Sequence, residues 1–296
     1  MSTARFVLAP RGEFSLAKAV RFLQGFVPLS GRDGDEPDEV LRLAFCADGD
    51  WRPIAVRVRQ SVAGRVTATV EGPGELERVR AQIERLLSID VDASMLEDVV
   101  AGDLVAAELV ARFRGLRPVC FASPYEAACW AVLSQRIRTT QAVNIRRRMC
   151  FELGTVFELD GVRVAAFPAP DELLRTNSVQ GLPQVKVERL HGVATAALER
   201  RLDAAALRAA GPQQALADLQ RLPGIGPFGA ELVLIRGAGE PDHFARSERR
   251  LHAAIGAAYG VAADDVDALE SIASRWSPFR SWIGFLFRVA ADYAGR

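Results

Sequence analysis

Apolar and polar residues alternate in the segments VLRLAFC, IAVRVRQSV and RVTATVEG, all within the first 90 residues of the chain. Such alternation is typical of half-buried strands. The segments FSLAKAVRFLQGF and ELERVRAQIERLLSI have the period of amphipathic helices, and SGRDGDEPDE at 30–39 has the composition of a polar turn or short flexible loop. The pattern predicts an α+β domain over residues 1–90, a small antiparallel sheet with helices packed on one face.

From residue 91 to residue 296 the hydrophobic periodicity is helical throughout, which predicts a larger all-helical domain. One helix start is well marked, because Ser123 and Glu126 have the spacing of a capping box and Pro124 takes the first helical position. A basic helix, TTQAVNIRRRMCFEL, is expected to end at Gly154. Aromatic residues near the C-terminus have the spacing of a core stripe on the last helix: Trp276, Phe279, Trp282, Phe285 and Phe287.

The formal net charge of the 296 residues is zero, and a neutral balance by itself argues against a nucleic-acid partner. The charges are segregated, however. The segment from Asp33 to Glu108 has 17 acidic and 8 arginine side chains, a net charge of −9, whereas Arg112 to Cys150 has 8 arginines and one glutamate, a net charge of +7. The neutral total therefore hides a basic block, and we expect non-specific DNA affinity to be modest and sensitive to salt.

The basic block includes the run Arg146–Arg148. Consecutive helical residues point in different directions, so at most part of this run can face one partner. Nearly all positive charge in the chain is arginine, since the lysines are Lys18 and Lys186 alone. Genomic base composition and a functional preference for arginine at phosphates explain this equally well.

Composition excludes several classes of protein. With 49% hydrophobic and 25% charged residues the chain is not a disordered protein, and no stretch approaches the ~18 apolar residues of a membrane span. The N-terminal residues lack the apolar core of a signal peptide. The cysteines form no C-x-x-C pair or metal cluster: Cys46, Cys120, Cys129 and Cys150. We therefore expect a reduced, cytoplasmic protein.

The segment 222–232, LPGIGPFGAEL, has the pattern of a helical hairpin, because apolar-periodic helices precede and follow it. Glycine at 224 and 226 permits positive φ and close approach of another backbone. Pro227 suits the first turn of a helix, whose unpaired N–H groups and dipole favour an anion. Gly224 and Gly226 are thus candidates to present amides to a DNA phosphate, and a plain helix-turn-helix corner is the structural alternative.

LPGIGPFGAELVLIRG is similar to the hairpin of the helix-hairpin-helix DNA glycosylase superfamily, specifically of its bacterial 3-methyladenine DNA glycosylase II type. AVLSQRIRTTQAVNI resembles the family segment in which a Gln-containing turn inserts into DNA. FPAPDELL, GLPQVKVERLHGVA and, at 276–281, WSPFRS resemble further family segments in the same order. The resemblance covers about residues 112–293 and is weak before them.

The resemblance implies base excision: the protein binds double-stranded DNA, flips out a damaged base, expected to be alkylated, and hydrolyses its N-glycosidic bond. Gln135 and Arg136 match the wedge that fills the vacated stack, although the family commonly has an apolar residue at the position of Arg136. A solvated loop arginine is the alternative. The residues that match DNA-contacting positions of the family are Gly224, Gly226, Gly229, Gln135, Arg136 and Arg138.

The catalytic aspartate of the family falls on Glu248. The family segment D-x-F-P-x-x-D is DHFARSE here, so Asp242 and Phe244 match while Ala245 replaces the proline. The resemblance implies that a carboxylate at 248 stabilises the positive charge that develops on the sugar as the base leaves. A helix capped by Ser247, with Glu248 in its first turn, is the structural alternative. Asp242 is the fallback carboxylate.

The resemblance also bears on specificity and cofactors. Its base pocket falls on Phe228, Leu232 and Arg288. Arg288 stands where the family usually has tryptophan and would repel a cationic base, whereas Phe228 stands where lyase-competent relatives carry a lysine, so no lyase activity is expected. No cofactor is expected to be required, and without a four-cysteine arrangement no iron–sulfur cluster is expected. The backbone carbonyls of Gln220, Leu222 and Ile225 match the family's monovalent cation site, for Na+ or K+.

Three functions stay open as hypotheses. The first is a monofunctional DNA glycosylase that acts on damaged, alkylated bases. The second is a non-catalytic damaged-DNA-binding relative, motivated by Glu248 and Arg288. The third is a general DNA-binding module that uses the hairpin to hold phosphate. In each case we expect a monomer associated with the nucleoid and no membrane partner.

Overall fold

The computed structural model describes residues 3–25 and 40–294; the polar turn expected at 30–39 lies outside the described residues. The N-terminal part forms a small antiparallel sheet with two helices. Its elements are β1 (Thr3–Leu8), α1 (Leu16–Gly25), β2 (Leu41–Cys46), β3 (Pro53–Gln60), β4 (Val66–Glu71) and α2 (Leu76–Leu86). The order of the strands in the sheet is β1-β4-β3-β2.

Both helices share one core with the sheet. Ile54, Val56 and Val58 alternate along β3 and contribute to the apolar cluster that contains the buried residues of α1 and α2. The predicted α+β arrangement is therefore confirmed. The sequence pattern missed β1, because this edge strand pairs with β4 alone and only Leu8 within it is buried.

The prediction that the chain is helical throughout from residue 91 is wrong at one place. Strands β5 (Val156–Leu159) and β6 (Val162–Ala165) form a hairpin. Asp160 and Gly161 between them have φ of 51° and 76°, the left-handed pair of the tight Asp-Gly turn that favours hairpins. Leu159 and Val164 pack against Ala55 of β3, so the hairpin joins the helical part to the sheet.

The helical part has two apolar cores. The first is formed by residues between 121 and 238. Its helices are α5 (Pro124–Leu133), α6 (Thr139–Leu153), α7 (Pro170–Arg175), α8 (Gln184–Leu198), α9 (Ala204–Ala209), α10 (Pro212–Leu219) and α11 (Pro227–Leu232), followed by a π-helical turn (Val233–Gly237). The hydroxyl of Ser123 caps α5 by accepting from the amide of Glu126 at 3.1 Å, as predicted. The carboxylate of Glu126 does not complete the predicted capping box, because it pairs with Arg146 at 2.9 Å instead.

The second core brings together segments that are far apart in the sequence. Its helices are α3 (Leu96–Val100), α4 (Leu104–Arg112), α12 (Arg249–Tyr259), α13 (Val266–Ser274) and α14 (Arg280–Ala294). All five aromatic residues of the predicted stripe are buried in it, but Trp276 and Phe279 precede α14 rather than lie on it. None of the helices that the structure describes is long and apolar enough to cross a membrane.

Candidate nucleic-acid interface and active site

The hairpin between α10 and α11 has the predicted helix–turn–helix shape. The amide of Ile225 donates to the carbonyl of Leu222 at 3.0 Å and closes the turn. Gly224 has φ of +87°, and a Cβ on it would lie 2.6 Å from Cδ of Arg189. Glycine at 224 is thus required by the fold of the chain itself.

Gly226 and Gly229 have different surroundings. Gly226 is exposed, with φ of −90°, and a Cβ there would meet nothing within 4 Å. Neither the backbone nor the packing of the described residues requires glycine at 226, so the open face of the turn is accessible to another molecule. Gly229 is buried, and a Cβ on it would lie 3.4 Å from Cβ of Ala131. Its position is explained by the close packing of α11 on α5.

The turn between α5 and α6 lies directly on the hairpin. The side-chain amide of Gln135 donates to the carbonyl of Gly224, and its oxygen accepts from Arg189 at 3.2 Å. The ammonium of Lys186 donates to the carbonyls of Leu133 and Gln135, at 2.8 and 2.7 Å. Burial lowers the pKa of Lys186, and the charge of Arg189 lowers it further. The predicted wedge and the predicted phosphate site are therefore one connected structure.

Arg136 stands at the tip of this turn. It is exposed and has φ of +55°, a left-handed conformation that costs a non-glycine residue about 1–2 kcal/mol. Strained residues of this kind cluster at functional sites. Arg138, at the start of α6, is exposed as well. Gln135 itself is held by the hairpin, so Arg136 is the member of the predicted wedge that projects from the surface.

The arginine run on α6 has separate partners, as its helical geometry predicts. Arg146 is withdrawn into the core against Glu126. Arg147 lies over the ring of Phe151 at 5.8 Å, and Arg148 donates to the carbonyl of Gln180 at 2.9 Å. Arg146 is not available to a DNA phosphate.

The predicted pocket residues begin on α11. Phe228, in its first turn, is 48% exposed, and Leu232 at its end is half-buried. Arg288 lies on α14 and pairs with Asp292 of the same helix at 3.4 Å. Among the described contacts none joins Arg288 to Phe228 or Leu232, and its charge has a carboxylate partner of its own.

The loop from Asp242 to Glu248 follows the π-helical turn and is fixed to α14. The carboxylate of Asp242 accepts from Nε of Arg280 at 2.7 Å and from the hydroxyl of Ser277 at 2.8 Å. Burial alone would raise the pKa of Asp242, but these hydrogen bonds outweigh it and hold the pKa below its ordinary value. The hydroxyl of Ser281 accepts from the amide of His243 and donates to its carbonyl, both at 3.0 Å.

The middle of the loop is held from two further sides. His252 makes a hydrogen bond with the carbonyl of Ala245 at 2.9 Å and stacks on Phe244. On the other side, the buried carboxylate of Glu231 accepts from the amides of Arg246 and Ser247, each at 2.9 Å. The loop that leads to residue 248 is therefore tied to α11, α12 and α14.

Glu248 is itself the N-cap of α12, a position for which the sequence favoured Ser247. Its Oε1 accepts from the amide of Arg250 at 3.1 Å, and the residue is half-buried. Both oxygens of Glu231 and both of Asp242 are engaged. Among these three carboxylates, Glu248 keeps one oxygen without a hydrogen bond or ion pair to any described residue. Of the three, it is therefore the carboxylate with an oxygen left to accept from a ligand.

Candidate metal and thiol chemistry is limited in the described residues. They contain no group of three or more His, Cys, Asp or Glu side chains that could hold a metal ion. The cysteines are free and buried, and burial raises the pKa of Cys46 and Cys150, to about 11 for the latter. The predicted site for a monovalent cation would consist of backbone carbonyls instead, at Gln220, Leu222 and Ile225.

A solved structure of another protein has the same fold as this chain. A 3-methyladenine DNA glycosylase from Archaeoglobus fulgidus superposes with a TM-score of 0.79 at 24% identity, over 98% of each chain. The chain therefore has the same fold as this glycosylase. This confirms the predicted fold class.

Sequence comparison finds relatives of the same type. The chain is 27% identical over 210 residues to the "Probable bifunctional transcriptional activator/DNA repair enzyme AlkA" of Mycobacterium tuberculosis, over 70% of this chain and 42% of that protein. It is 25% identical over 165 residues to the DNA-3-methyladenine glycosylase of Bacillus subtilis, over 54% of each. The chain thus spans about half the length of these curated relatives. No model of a known protein family matches it.

The sequence missed three residues of this site. Lys186 had a faint signal, as one of only two lysines. Arg189 and Glu231 had no signal in the sequence, because each contacts a segment that is distant along the chain. Arg189 contacts Gln135, and Glu231 contacts the 246–247 loop. Such residues become visible only once the helices are packed.

Proposed function

We propose that the protein is a monofunctional DNA glycosylase that removes alkylated bases from double-stranded DNA. The observation that carries the proposal is the hydrogen bond from Gln135 to the carbonyl of Gly224. It joins the turn suited to fill a vacated base stack to the turn suited to hold a phosphate. The names of the relatives, DNA-3-methyladenine glycosylases among them, support the same activity and the same class of damage.

In the proposed reaction the hairpin holds the DNA backbone. The open face at Gly226 lets a phosphate approach the amides at the start of α11, and Arg136 enters the gap that the flipped base leaves. A planar guanidinium suits this position because it can stack on bases and hold phosphate. Flipping costs least for a damaged or mispaired base, which contributes to selectivity.

The chemical step is hydrolysis of the N-glycosidic bond. The base leaves with the bonding electron pair, positive charge develops on the sugar, and the open oxygen of Glu248 stabilises that charge. Water then bonds to the anomeric carbon and releases a proton. A lysine nucleophile is missing from the hairpin, where Phe228 stands, and Lys186 is held by two carbonyls. The DNA strand therefore stays uncut.

The proposed choice of base rests on Phe228 and Arg288, which the resemblance assigns to the base pocket. The half-exposed ring of Phe228 offers an aromatic face to a cationic alkylated base. Arg288 would repel such a base, but its pairing with Asp292 offsets the charge. We therefore propose alkylated purines as substrates, and a monomer that acts at the nucleoid in the cytoplasm.

A monovalent cation would be held by the carbonyls of Gln220, Leu222 and Ile225. The proposal is supported by the carbonyl of Leu222, which accepts one internal hydrogen bond, from the amide of Ile225, and keeps its second lone pair. Bound there, Na+ or K+ would add positive charge beside the phosphate.

The proposal is tested by incubating the protein with methylated, deaminated and oxidised duplex DNA and measuring the free bases that are released. We expect release of methylated purines without strand cleavage. No release from any of these substrates, together with tighter binding to an abasic duplex than to an intact one, would make the protein a non-catalytic damage-binding relative. Equal affinity for both duplexes would leave only a general DNA-binding module.

A further inference from the structure

Glu231 is a buried acid that the proposed reaction does not use. It lies at the end of α11, and its side chain is 8% exposed. A buried carboxylate is costly unless hydrogen bonds compensate for its lost hydration. The compensation here comes from one place, since both of its recorded hydrogen bonds are donated by the 246–247 loop.

The two hydrogen bonds from the amides of Arg246 and Ser247 to Glu231 are together called the Glu231 clamp, because they hold the main chain at two successive residues. Oε1 accepts from the amide of Arg246 and Oε2 from the amide of Ser247, both at 2.9 Å. Charge-assisted bonds of this kind are stronger and more directional than neutral ones. Nε2 of His243, buried and without a hydrogen-bond partner among the described residues, lies 3.7 Å from Oε1 and adds a second polar neighbour. The clamp grips the backbone immediately before Glu248.

The clamp also joins the two halves of the site. Glu231 follows Phe228 by one turn on the helix that leaves the hairpin, and residues 246 and 247 lead directly into the N-cap of α12. The other ties of the loop, to Ser281, Arg280, His252 and Glu270, come from α12, α13 and α14. Glu231 is the tie that comes from α11, the helix that leaves the predicted DNA-binding hairpin.

We infer that Glu231 is a positioning residue, which sets the distance between the hairpin that holds DNA and the carboxylate of Glu248. The inference rests on the proposed function, in that Glu248 must act on a sugar whose phosphates the hairpin holds. A displacement of about 1 Å at a reacting group can cost about 100-fold in rate. The clamp fixes the main chain within hydrogen-bond distance at two successive amides.

The test compares single-turnover base release by wild type, Glu231→Gln and Glu248→Gln with that of the double variant. Gln keeps the shape of Glu231 but turns one acceptor into a donor that faces an amide. We expect Glu231→Gln to lower the rate by about 10-fold or more and to leave affinity for abasic duplex unchanged. In the Glu248→Gln background the same change should have no further effect, because residues that act as a unit are not additive.

The matched control is Glu270→Gln. Glu270 pairs with the side chain of Arg246, whereas Glu231 holds its amide. We expect the rate of Glu270→Gln to equal that of wild type. Equal losses from Glu231→Gln in both backgrounds, or no loss in either, would overturn the inference and leave Glu231 a structural residue.

A readout that does not depend on activity separates this inference from the proposed function. In wild type, the amides of Arg246 and Ser247 should exchange hydrogen as slowly as those of α11. In Glu231→Gln they should exchange quickly while the α11 amides do not change. If wild type releases no base, the proposed function fails, and exchange alone decides whether Glu231 holds the loop. Fast exchange at both amides in wild type would contradict the inference even if the variant does not fold.

Discussion

Gly224 and Gly226 stand two residues apart in the same turn, but different forces keep them as glycine. The left-handed backbone of Gly224 and the nearby Arg189 side chain leave no room for a Cβ. Gly226 has ordinary backbone angles and open space. The first glycine therefore serves the fold, and we infer that the second serves an approaching phosphate.

Alanine substitution should separate these two roles. Gly224→Ala should lower the free energy of unfolding by about 1–3 kcal/mol through backbone strain, which thermal or urea denaturation measures. Gly226→Ala should leave stability within about 0.5 kcal/mol of wild type and weaken binding to abasic duplex. Unchanged DNA affinity in Gly226→Ala would show that no phosphate approaches this backbone.

At the scale of elements, short contacts fix the connections between helices and strands. The β5–β6 hairpin places the carboxylate of Asp160 on the sheet, where it accepts from Arg57 at 2.6 Å and from Arg42 at 3.0 Å. The 242–248 loop is fixed in the same way, through Asp242 and Arg280. Each tie joins elements that are far apart in the sequence.

The Asp-Gly turn can be tested at Gly161. Its φ of 76° is left-handed, and a Cβ there would meet nothing, so Gly161→Ala measures backbone strain alone. We expect a loss of about 1–2 kcal/mol in urea unfolding. Gly102, which has open space and no positive φ, is the control, and Gly102→Ala should show no such loss. Equal effects at both positions would argue against the turn geometry.

The Asp242–Arg280 tie predicts a pH dependence. Because the pKa of Asp242 is lowered in the folded state, its charge stabilises the protein above the ordinary value of about 3.9, and this stabilisation is lost as pH falls through the folded-state pKa. Asp242→Asn should lower the free energy of unfolding by about 1–3 kcal/mol at neutral pH. The difference from wild type should shrink below about pH 4. A difference that does not vary with pH would contradict this account.

The sequence predicted those elements that are determined by residues close together in the chain. The Ser123 cap, the strands β2 to β4 and the hairpin at 222–229 were predicted and are observed. The Asp160–Gly161 turn also has a local signal, but its strands have four residues each, too few for a clear alternation of apolar and polar positions. The second helical core and the Glu231 clamp were out of reach, since each depends on segments that meet only after packing.

At the scale of the whole molecule, the neutral net charge conceals a separation of charge along the chain. Arg146 is buried in an ion pair and Arg148 is held by Gln180, so the exposed arginines beside the hairpin, Arg136 and Arg138, are the better candidates for DNA phosphates. Few such contacts are consistent with a modest, salt-sensitive affinity.

The number of phosphate contacts follows from the dependence of DNA affinity on salt. Replacing Arg136 and Arg138 together by Gln should reduce the slope of log K against log salt concentration by about 2. The matched control replaces two exposed arginines of the N-terminal sheet region, Arg5 and Arg65, and should leave the slope unchanged. An equal reduction in both variants would mean that binding follows the overall charge rather than the turn at 135–138.

We propose that this chain hydrolyses the N-glycosidic bond of an alkylated base with Glu248 as its carboxylate. The most direct test is single-turnover release of methylated purine from a duplex by wild type and by Glu248→Gln. We expect release by wild type and a loss of about 100-fold or more in the variant, with affinity for abasic duplex retained. Release at the same rate by both proteins would contradict it.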